Sequence, residues 1–417
     1  MYKNLLVNMK HGFKVAVLVA GIIVSFQSCT PKTSIENFPV KYVLSADSPA
    51  DSSELKFQDG NVMLSIPVGY IPKGGIIDFN AVVESSPECS RYYVTEYKVR
   101  DTWYPGDMFM CSGNESHPSV IMQTFRMPEP VKDILEIRFR ATGREKADSS
   151  ARDGIRPRME LAPKGYVGEY IQYFGEGAAK DTMNVLCIGN SFTYYNMVPF
   201  MLKEIAWNEG HLLRVNASLK GGQSFGQHMG LPLSRFAMSK GKYDFAFLQD
   251  QSQAAANFSK DSTEFSYVNA DFQRVVTNVV ARSPKCKIIL EDTWAYQAGD
   301  FGGFGNLEEF DNLMADGTSR LIRNAEMAFP TNEFEISPIA KAFAIVRDGD
   351  SGIDLYTEDG KHQSVYGAYL KACVNYLMMF GGKFQSVPAP DSKTSVDCGL
   401  PHDKAEYLRH AAEQVME

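Results

Sequence analysis

Three side chains in this 417-residue chain could together generate a nucleophile: Ser191, Asp359 and His362. A serine hydroxyl is a poor nucleophile at neutral pH, so a base must take its proton as the new bond forms. In Asp359-Gly360-Lys361-His362 an imidazole stands three residues after a carboxylate. From a loop or a helix entry, that offset lets both side chains turn toward one site. The carboxylate would hold one ring N–H, fix the tautomer and stabilise the imidazolium. The other histidines are weaker candidates, since His228, His402 and His410 lack an acid three positions upstream and His211 follows a helix end. Each residue also has a plainer reading. Ser191 could cap the following helix, Asp359-Gly360 could be turn chemistry, and His362 could lie on the surface.

The elements around Ser191 support the chemical reading. Val185-Leu186-Cys187-Ile188 is an apolar run of strand length that stops at Gly189-Asn190-Ser191. A helical pattern follows over Val198–Glu209, with Val198, Phe200, Met201, Leu202, Ile205, Ala206 and Trp207 on roughly one face. Ser191 therefore sits at the carboxyl end of a buried strand. From Met183 onward, strand-like runs (Asn184–Ile188, Arg214–Ser218, Phe245–Leu248, Ile288–Leu290, Glu335–Ile339) alternate with helical ones (Phe265–Arg282, Leu307–Ala328, Val365–Met379, Asp403–Val415). Such alternation implies an α/β domain with a parallel sheet covered on both faces, in which ligands bind outside the carboxyl ends of the strands.

Before this domain the period is different. Between residues 59 and 175, short period-two runs punctuated by Gly and Pro predict an antiparallel β-sandwich or jelly roll. Residues 30–58 read as a polar tether, Gly175–Asp181 as a linker, and 183–417 as the α/β domain. Residues 1–29 resemble a bacterial lipoprotein signal peptide: Lys3, Lys10 and Lys14, an apolar run from Val15 to Phe26, then Cys29 as the residue to be lipidated. That run is too short for a stable membrane-spanning helix. The expectation is export and anchoring in the cell envelope through Cys29. A net charge of −8 argues against a nucleic-acid partner. Without C-x-x-C or His-x-x-x-His spacing, no metal is expected, and no cofactor is required. Cys187 and Cys286 fall in core strands as buried thiols, while Cys89 and Cys111 could form a bridge.

Four blocks in order make the α/β domain resemble the SGNH (GDSL-like) hydrolases: Gly189-Asn190-Ser191-Phe192-Thr193, Gly221-Gly222-Gln223-Ser224, Leu248-Gln249-Asp250-Gln251-Ser252, and Asp359 to His362. The resemblance covers about residues 183–416. It implies a three-layer, flavodoxin-like domain and ester hydrolysis by Ser191, His362 and Asp359, with an oxyanion hole at the N–H groups of Ser191 and Gly222 (or Gly221). The third block departs from the family: it has no Gly-x-Asn-Asp, and Gln249 or Gln251 would have to supply the amide donor, Gln249 being preferred because it directly follows the strand. Gln363 stands where proline is common after the histidine.

Family membership and export together suggest a serine esterase acting on acyl, chiefly O-acetyl, esters of carbohydrate. A lipid or thioester hydrolase, or a non-catalytic glycan-binding lipoprotein that kept the fold, are the rival readings. Tyr92, Tyr93, Tyr97, Trp103 and Tyr104 form either a glycan platform or the core of the β-domain. Glu291 and Asp292 are expected at the crevice rim, with Trp294 and Tyr296 there as sugar-stacking or core residues.

Overall fold

The computed structural model describes residues 182–297, 303–384, 398 and 400–417, and in the N-terminal part 40–45, 56–58, 61–71, 73, 76–85, 91–111, 119–142, 155–156 and 166–173. The signal segment with Cys29, the linker and Cys89 lie outside the described residues.

Strands β1 (Val40–Ser45), β2 (Lys56–Gln58), β3 (Asn61–Ile71), β4 (Ile76–Ser85), β5 (Arg91–Val99), β6 (Thr102–Cys111), β7 (Ser119–Arg126), β8 (Val131–Thr142), β9 (Ile155–Arg156) and β10 (Tyr166–Tyr173) form two antiparallel sheets. One is ordered β1-β10-β4-β7, with β9 on β4; the other is β2-β3-β8-β5-β6. Strand pairing thus begins inside the stretch read as a tether, because β1 pairs with β10 and β2 with β3. Alternation fixes the register of β5 against β8. Tyr97 and Ile137 face each other on the buried side, while Lys98–Glu136 and Glu96–Arg138 pair across the strands at 2.6 Å each. Tyr97 also stacks on Phe125 of β7 at 4.7 Å, which assigns this tyrosine to the core. Trp103 is half-buried, with the Arg138 guanidinium 4.1 Å from its ring.

The second part is a five-stranded parallel sheet of β11 (Thr182–Gly189), β12 (Leu212–Leu219), β13 (Phe245–Leu248), β14 (Lys287–Glu291) and β15 (Phe334–Ser337), ordered β12-β11-β13-β14-β15. The chain steps outward from β11 to β12, then crosses back to β13. The carboxyl ends of β11 and β13 therefore flank the point where strand order reverses.

Ten helices accompany this sheet among the described residues: α1 (Ser191–Tyr194), α2 (Val198–Asn208), α3 (Phe225–Gly230), α4 (Pro232–Lys240), α5 (Ala254–Lys260), α6 (Ser262–Val280), α7 (Leu307–Ala328), α8 (Ile339–Asp348), α9 (Val365–Phe380) and α10 (His402–Gln414). Side-chain alternation along the strands sorts them into two layers. Val185, Cys187, Phe247 and Ile289 pack with residues of α2, α8, α9 and α10. Leu186, Ile188, Ala246, Leu248, Ile288 and Leu290 pack with residues of α3, α4, α6 and α7. Each fully buried aliphatic or aromatic side chain contributes about 1.5–3 kcal/mol. Cys187 and Cys286 are buried free thiols.

Helix α7 crosses α5 so closely that a Cβ on Gly317 would stand 1.9 Å from the Ala255 carbonyl oxygen. In an ordinary helix interior, Gly→Ala stabilises by about 0.5–1 kcal/mol. Here Gly317→Ala is expected to destabilise by about 1–3 kcal/mol, because the methyl group meets backbone. Urea denaturation at neutral pH reads the sign directly, and a stabilised variant would refute the close crossing.

Candidate active site

The turn that carries Ser191 is built by three consecutive residues with different tasks. Gly189 ends β11 where a Cβ would lie 2.5 Å from the Thr193 hydroxyl and 3.0 Å from the Gln249 amide oxygen, so no larger residue fits without movement. Asn190 is the N-cap of α1, its Oδ1 accepting from the Phe192 N–H at 3.1 Å. Capping by Asn190 leaves the Ser191 hydroxyl free for another partner. That partner is His362, whose Nε2 lies 2.8 Å from Ser191 Oγ. On its far side His362 Nδ1 meets Asp359 Oδ2 at 2.5 Å. The three residues singled out in the sequence are thus joined in one line, hydroxyl to ring to carboxylate.

Asp359 is held by its own loop. Its Oδ1 accepts from the backbone N–H of Lys361 (2.8 Å) and His362 (2.9 Å) and from the Thr357 hydroxyl (2.8 Å). Partial burial alone would raise its pKa, but the His362 ring and these donors outweigh it and hold the carboxyl well below the usual carboxylate range. The loop is fixed by Gly360, which takes φ +66° in the turn, and by Trp294 Nε1 donating to the Lys361 carbonyl at 2.9 Å. The His362 ring lies flat against Tyr195, with centroids 4.1 Å apart and planes 12° apart, and tilted against Phe192 at 5.3 Å.

The second and third blocks close around the same strand ends. Lys220 N–H donates to the Gly189 carbonyl at 3.2 Å, and Gly222 follows in an exposed turn at φ +68°. The Asn190 amide nitrogen reaches the carbonyls of Gln223 and Asp250, at 3.0 Å each, and so ties three loops together. Gln249 does not face the crevice. It is fully buried, and its Oε1 accepts from Asn190 N–H (3.0 Å) and Thr193 Oγ1 (3.1 Å). A backbone N–H can only donate, so this fixes the amide orientation and corrects the expectation that Gln249 supplies an oxyanion donor. Gln251 is half-buried, and its Oε1 accepts from Gln253 N–H at 2.9 Å, which leaves its Nε2 uncommitted among the described residues.

Beneath the turn lies a polar network that sequence reasoning missed. Glu291 and Asp292 are buried rather than on the rim. Asp292 accepts from Ala340 N–H at the start of α8, at 3.0 Å. Glu291 pairs with Lys371 of α9 at 2.9 Å, both side chains almost completely excluded from solvent. Lys371 Nζ also donates to the Phe192 carbonyl (2.9 Å) and to Thr193 Oγ1 (3.4 Å). Asn375 donates to the second Glu291 oxygen at 2.6 Å and accepts from the Ser337 hydroxyl at 2.8 Å. On the opposite face of the sheet the buried His228 bridges Ser234 Oγ (2.9 Å) and the Gly189 carbonyl (3.0 Å). Since a carbonyl only accepts, Nε2 carries the proton and Nδ1 accepts from Ser234. Burial pushes the His228 pKa down to about 4. Trp294 and Tyr296 belong to the core: Trp294 stacks on Phe343 at 4.1 Å and on Phe192 at 4.8 Å, and Tyr296 Oη meets Ser252 Oγ at 2.5 Å.

A hydroxyl within hydrogen-bond reach of an imidazole whose other nitrogen meets a carboxylate can lose its proton to the ring as it attacks an electrophile. Among the described residues no group of His, Cys, Asp or Glu is arranged to hold a metal ion, and no helix is long and apolar enough to cross a membrane.

No family model matches the chain, and no curated protein matches it. Solved structures similar to it include a DUF4886 family protein from Bacteroides uniformis, at 20% identity over 57% of this chain and 95% of that one (TM-score 0.44). A lipase/acylhydrolase from Enterococcus faecalis is 13% identical over 48% of this chain and 96% of its own (TM-score 0.36). An acetylxylan esterase from Geobacillus stearothermophilus is 15% identical over 49% and 97% (TM-score 0.35). These are likenesses of fold.

Lys371→Met leaves the Glu291 carboxylate buried without its counter-charge, and loss of about 3–5 kcal/mol of stability is expected. Glu291→Gln combined with Lys371→Met removes both charges and should recover part of it; equal melting temperatures for wild type and Lys371→Met would show that the pair is not desolvated. His228 gives a pH-dependent counterpart. Its folded pKa is lowered, so its stability contribution is complete above about pH 6.5 and declines toward about pH 4, as the unfolded chain takes up a proton that the buried ring refuses. The stability advantage of wild type over His228→Gln should therefore shrink by roughly 3 kcal/mol across that window. A constant difference, measured by urea denaturation at several pH values, would refute a buried neutral ring.

Proposed function

We propose that this protein is a serine esterase of the SGNH type that removes acyl, chiefly O-acetyl, groups from carbohydrate. The observation that carries the reading is the line from Ser191 Oγ to His362 Nε2 at 2.8 Å and from His362 Nδ1 to Asp359 at 2.5 Å, at the carboxyl end of a parallel strand. Ser191 Oγ attacks the ester carbonyl while His362 takes its proton. The imidazolium then protonates the departing sugar oxygen. Water then attacks the acyl carbonyl as His362 takes its proton, the bond to Ser191 Oγ breaks with that proton returned to the hydroxyl, and the acyl group leaves as its carboxylic acid, ionised in water. Asp359 keeps the ring in the tautomer that presents an unprotonated Nε2 to the hydroxyl.

The oxyanion forms beside the N–H groups of Ser191 and Gly222, with Gln251 in the place first given to Gln249. Each such donor is worth about 2.7–4 kcal/mol in the transition state. Two features support a small acyl group. Phe192, Trp294 and Tyr296 fill the interior beneath the triad instead of lining a groove for a long chain. Asp359 and the turn at Gly222 are solvent-exposed, leaving room for a bulky alcohol outside. The lysines, apolar run and Cys29 at the amino terminus support export and lipid anchoring in the cell envelope, and the two antiparallel sheets are read as a β-sandwich that accompanies the hydrolase domain.

Ser191→Ala is expected to abolish acetate release from acetylated polysaccharides while keeping the wild-type melting temperature. On p-nitrophenyl esters the wild-type rate should fall with acyl chain length. Asp359 is held well below the usual carboxylate range, so its protonation should not limit the rate at mildly acid pH. Undiminished turnover by Ser191→Ala would remove the nucleophile, and a preference for long acyl chains would favour the lipid-hydrolase reading.

A further inference from the structure

Residue 363 occupies an unusual position between the two halves of the triad. It follows His362 directly, and its backbone pairs with Tyr356 in an isolated antiparallel bridge. Its side chain is fully buried and points the opposite way along the site, into the carbonyl end of α1. There Gln363 Nε2 lies 3.4, 3.1 and 3.0 Å from the carbonyl oxygens of Ser191, Phe192 and Tyr195. Three acceptors around one nitrogen fix the orientation of the amide. In return the Gln363 carbonyl accepts from Asn196 Nδ2 at 2.8 Å, and Asn196 holds a left-handed φ of +52° at the end of the same turn. The amide oxygen Oε1 is buried with no partner among the described residues. Burying an unpaired oxygen is unfavourable, so this side chain is not optimised for stability alone.

We infer that Gln363 is a positioning residue that sets the separation between Ser191 and His362, by tying the base-bearing loop to the nucleophile-bearing turn through both its main chain and its amide. This rests on the roles proposed for Ser191 and His362. The two residues are 171 positions apart in sequence, and their side chains must meet within hydrogen-bond reach for the proton to move. Displacement of the base loop relative to α1 alters the Oγ–Nε2 distance directly. Gln363 is fully buried and so out of reach of a substrate in the crevice, and its loss acts on turnover and not on binding.

The test uses the full chain and the variants Gln363→Met, Asn196→Gly and Ser191→Ala. Gln363→Met keeps length and burial and removes the donor. Asn196→Gly removes the reciprocal bond and suits the positive φ. Two activities are read: kcat and KM on p-nitrophenyl acetate, and the rate of covalent labelling by a fluorophosphonate. In the labelling reaction Ser191 Oγ forms the O–P bond, fluoride leaves, and the hydroxyl proton passes to His362. For Gln363→Met, kcat and the labelling rate should each fall roughly 10- to 100-fold with KM unchanged. Asn196→Gly should fall in the same two quantities by a smaller factor, and it decides the matter if Gln363→Met does not fold. Wild-type kcat and labelling in a folded Gln363→Met, or a loss confined to KM, would overturn the inference while a silent Ser191→Ala leaves the nucleophile standing. A wild type that labels no faster than Ser191→Ala would overturn the nucleophile and the inference together.

Discussion

The carbonyl end of α1 sets the terms for the rest of the site. A four-residue helix cannot satisfy its own last carbonyl groups, and this one is buried, so water does not reach them. The Ser191 carbonyl accepts from the Tyr195 N–H at the end of the turn, and the side-chain donors come from one segment, residues 363 to 371: the Gln363 amide at Ser191, Phe192 and Tyr195, and the Lys371 ammonium at Phe192. The turn that presents Ser191 is therefore complete only when the segment beginning beside His362 is docked. Ser191 and His362 are placed by one act of packing.

That solution brings a charge into the core, and the charge brings its own requirements. Lys371 lies on a helix whose residues are buried nearly all round, where an isolated ammonium would be very unfavourable. Glu291 neutralises it, Asn375 occupies the second carboxylate oxygen, and Ser337 orients Asn375. The chain of partners ends at the carboxyl termini of β14 and β15, so the position of α1 is referred to the sheet itself. At the solvent side the opposite economy holds. Asp359 is 44% exposed, and its carboxylate is cheap to ionise and is oriented by short bonds within its own loop. Rigidity is supplied from inside, and the charge used next to the imidazole stays near water.

What could be read from the sequence follows from range. Phe245–Leu248 was legible to the residue because an apolar run bounded by polar residues is a local signal. The alternation of strands and helices was legible for the same reason, although α3, α4, α5 and α8 are short or follow a turn closely and went unread. Glu335–Ile339 ran on as a strand past Ser337, where Pro338 caps α8 instead. The line from Ser191 to His362 was accessible because both ends carry distinctive local spacing. Gln249 was misplaced for want of one step. Strand alternation continues through its end: Phe247 faces the layer of α2 and α9, so residue 249 faces it too and is swallowed by the core. The same parity takes Ile289 to Glu291. Lys371 was visible as a lone charge in an apolar helix, but its partner lies 80 residues earlier and nothing local names it.

Gln363 stands where the pattern that the sequence resembles commonly has proline. Proline after the histidine would restrict the backbone of the preceding residue, and a chain without it has to fix His362 by other means. Here the loop is held by side chains: Trp294 on the Lys361 carbonyl, Asp359 on two successive N–H groups, and the Gln363 amide reaching into α1. A side-chain device differs from a ring in one consequential way. It restrains His362 relative to Ser191, whereas proline restrains it only relative to its own loop. Since the proposed proton transfer depends on the gap between two loops, a cross-loop restraint acts on the quantity that matters, and the absence of proline becomes an alternative design instead of a weakened one.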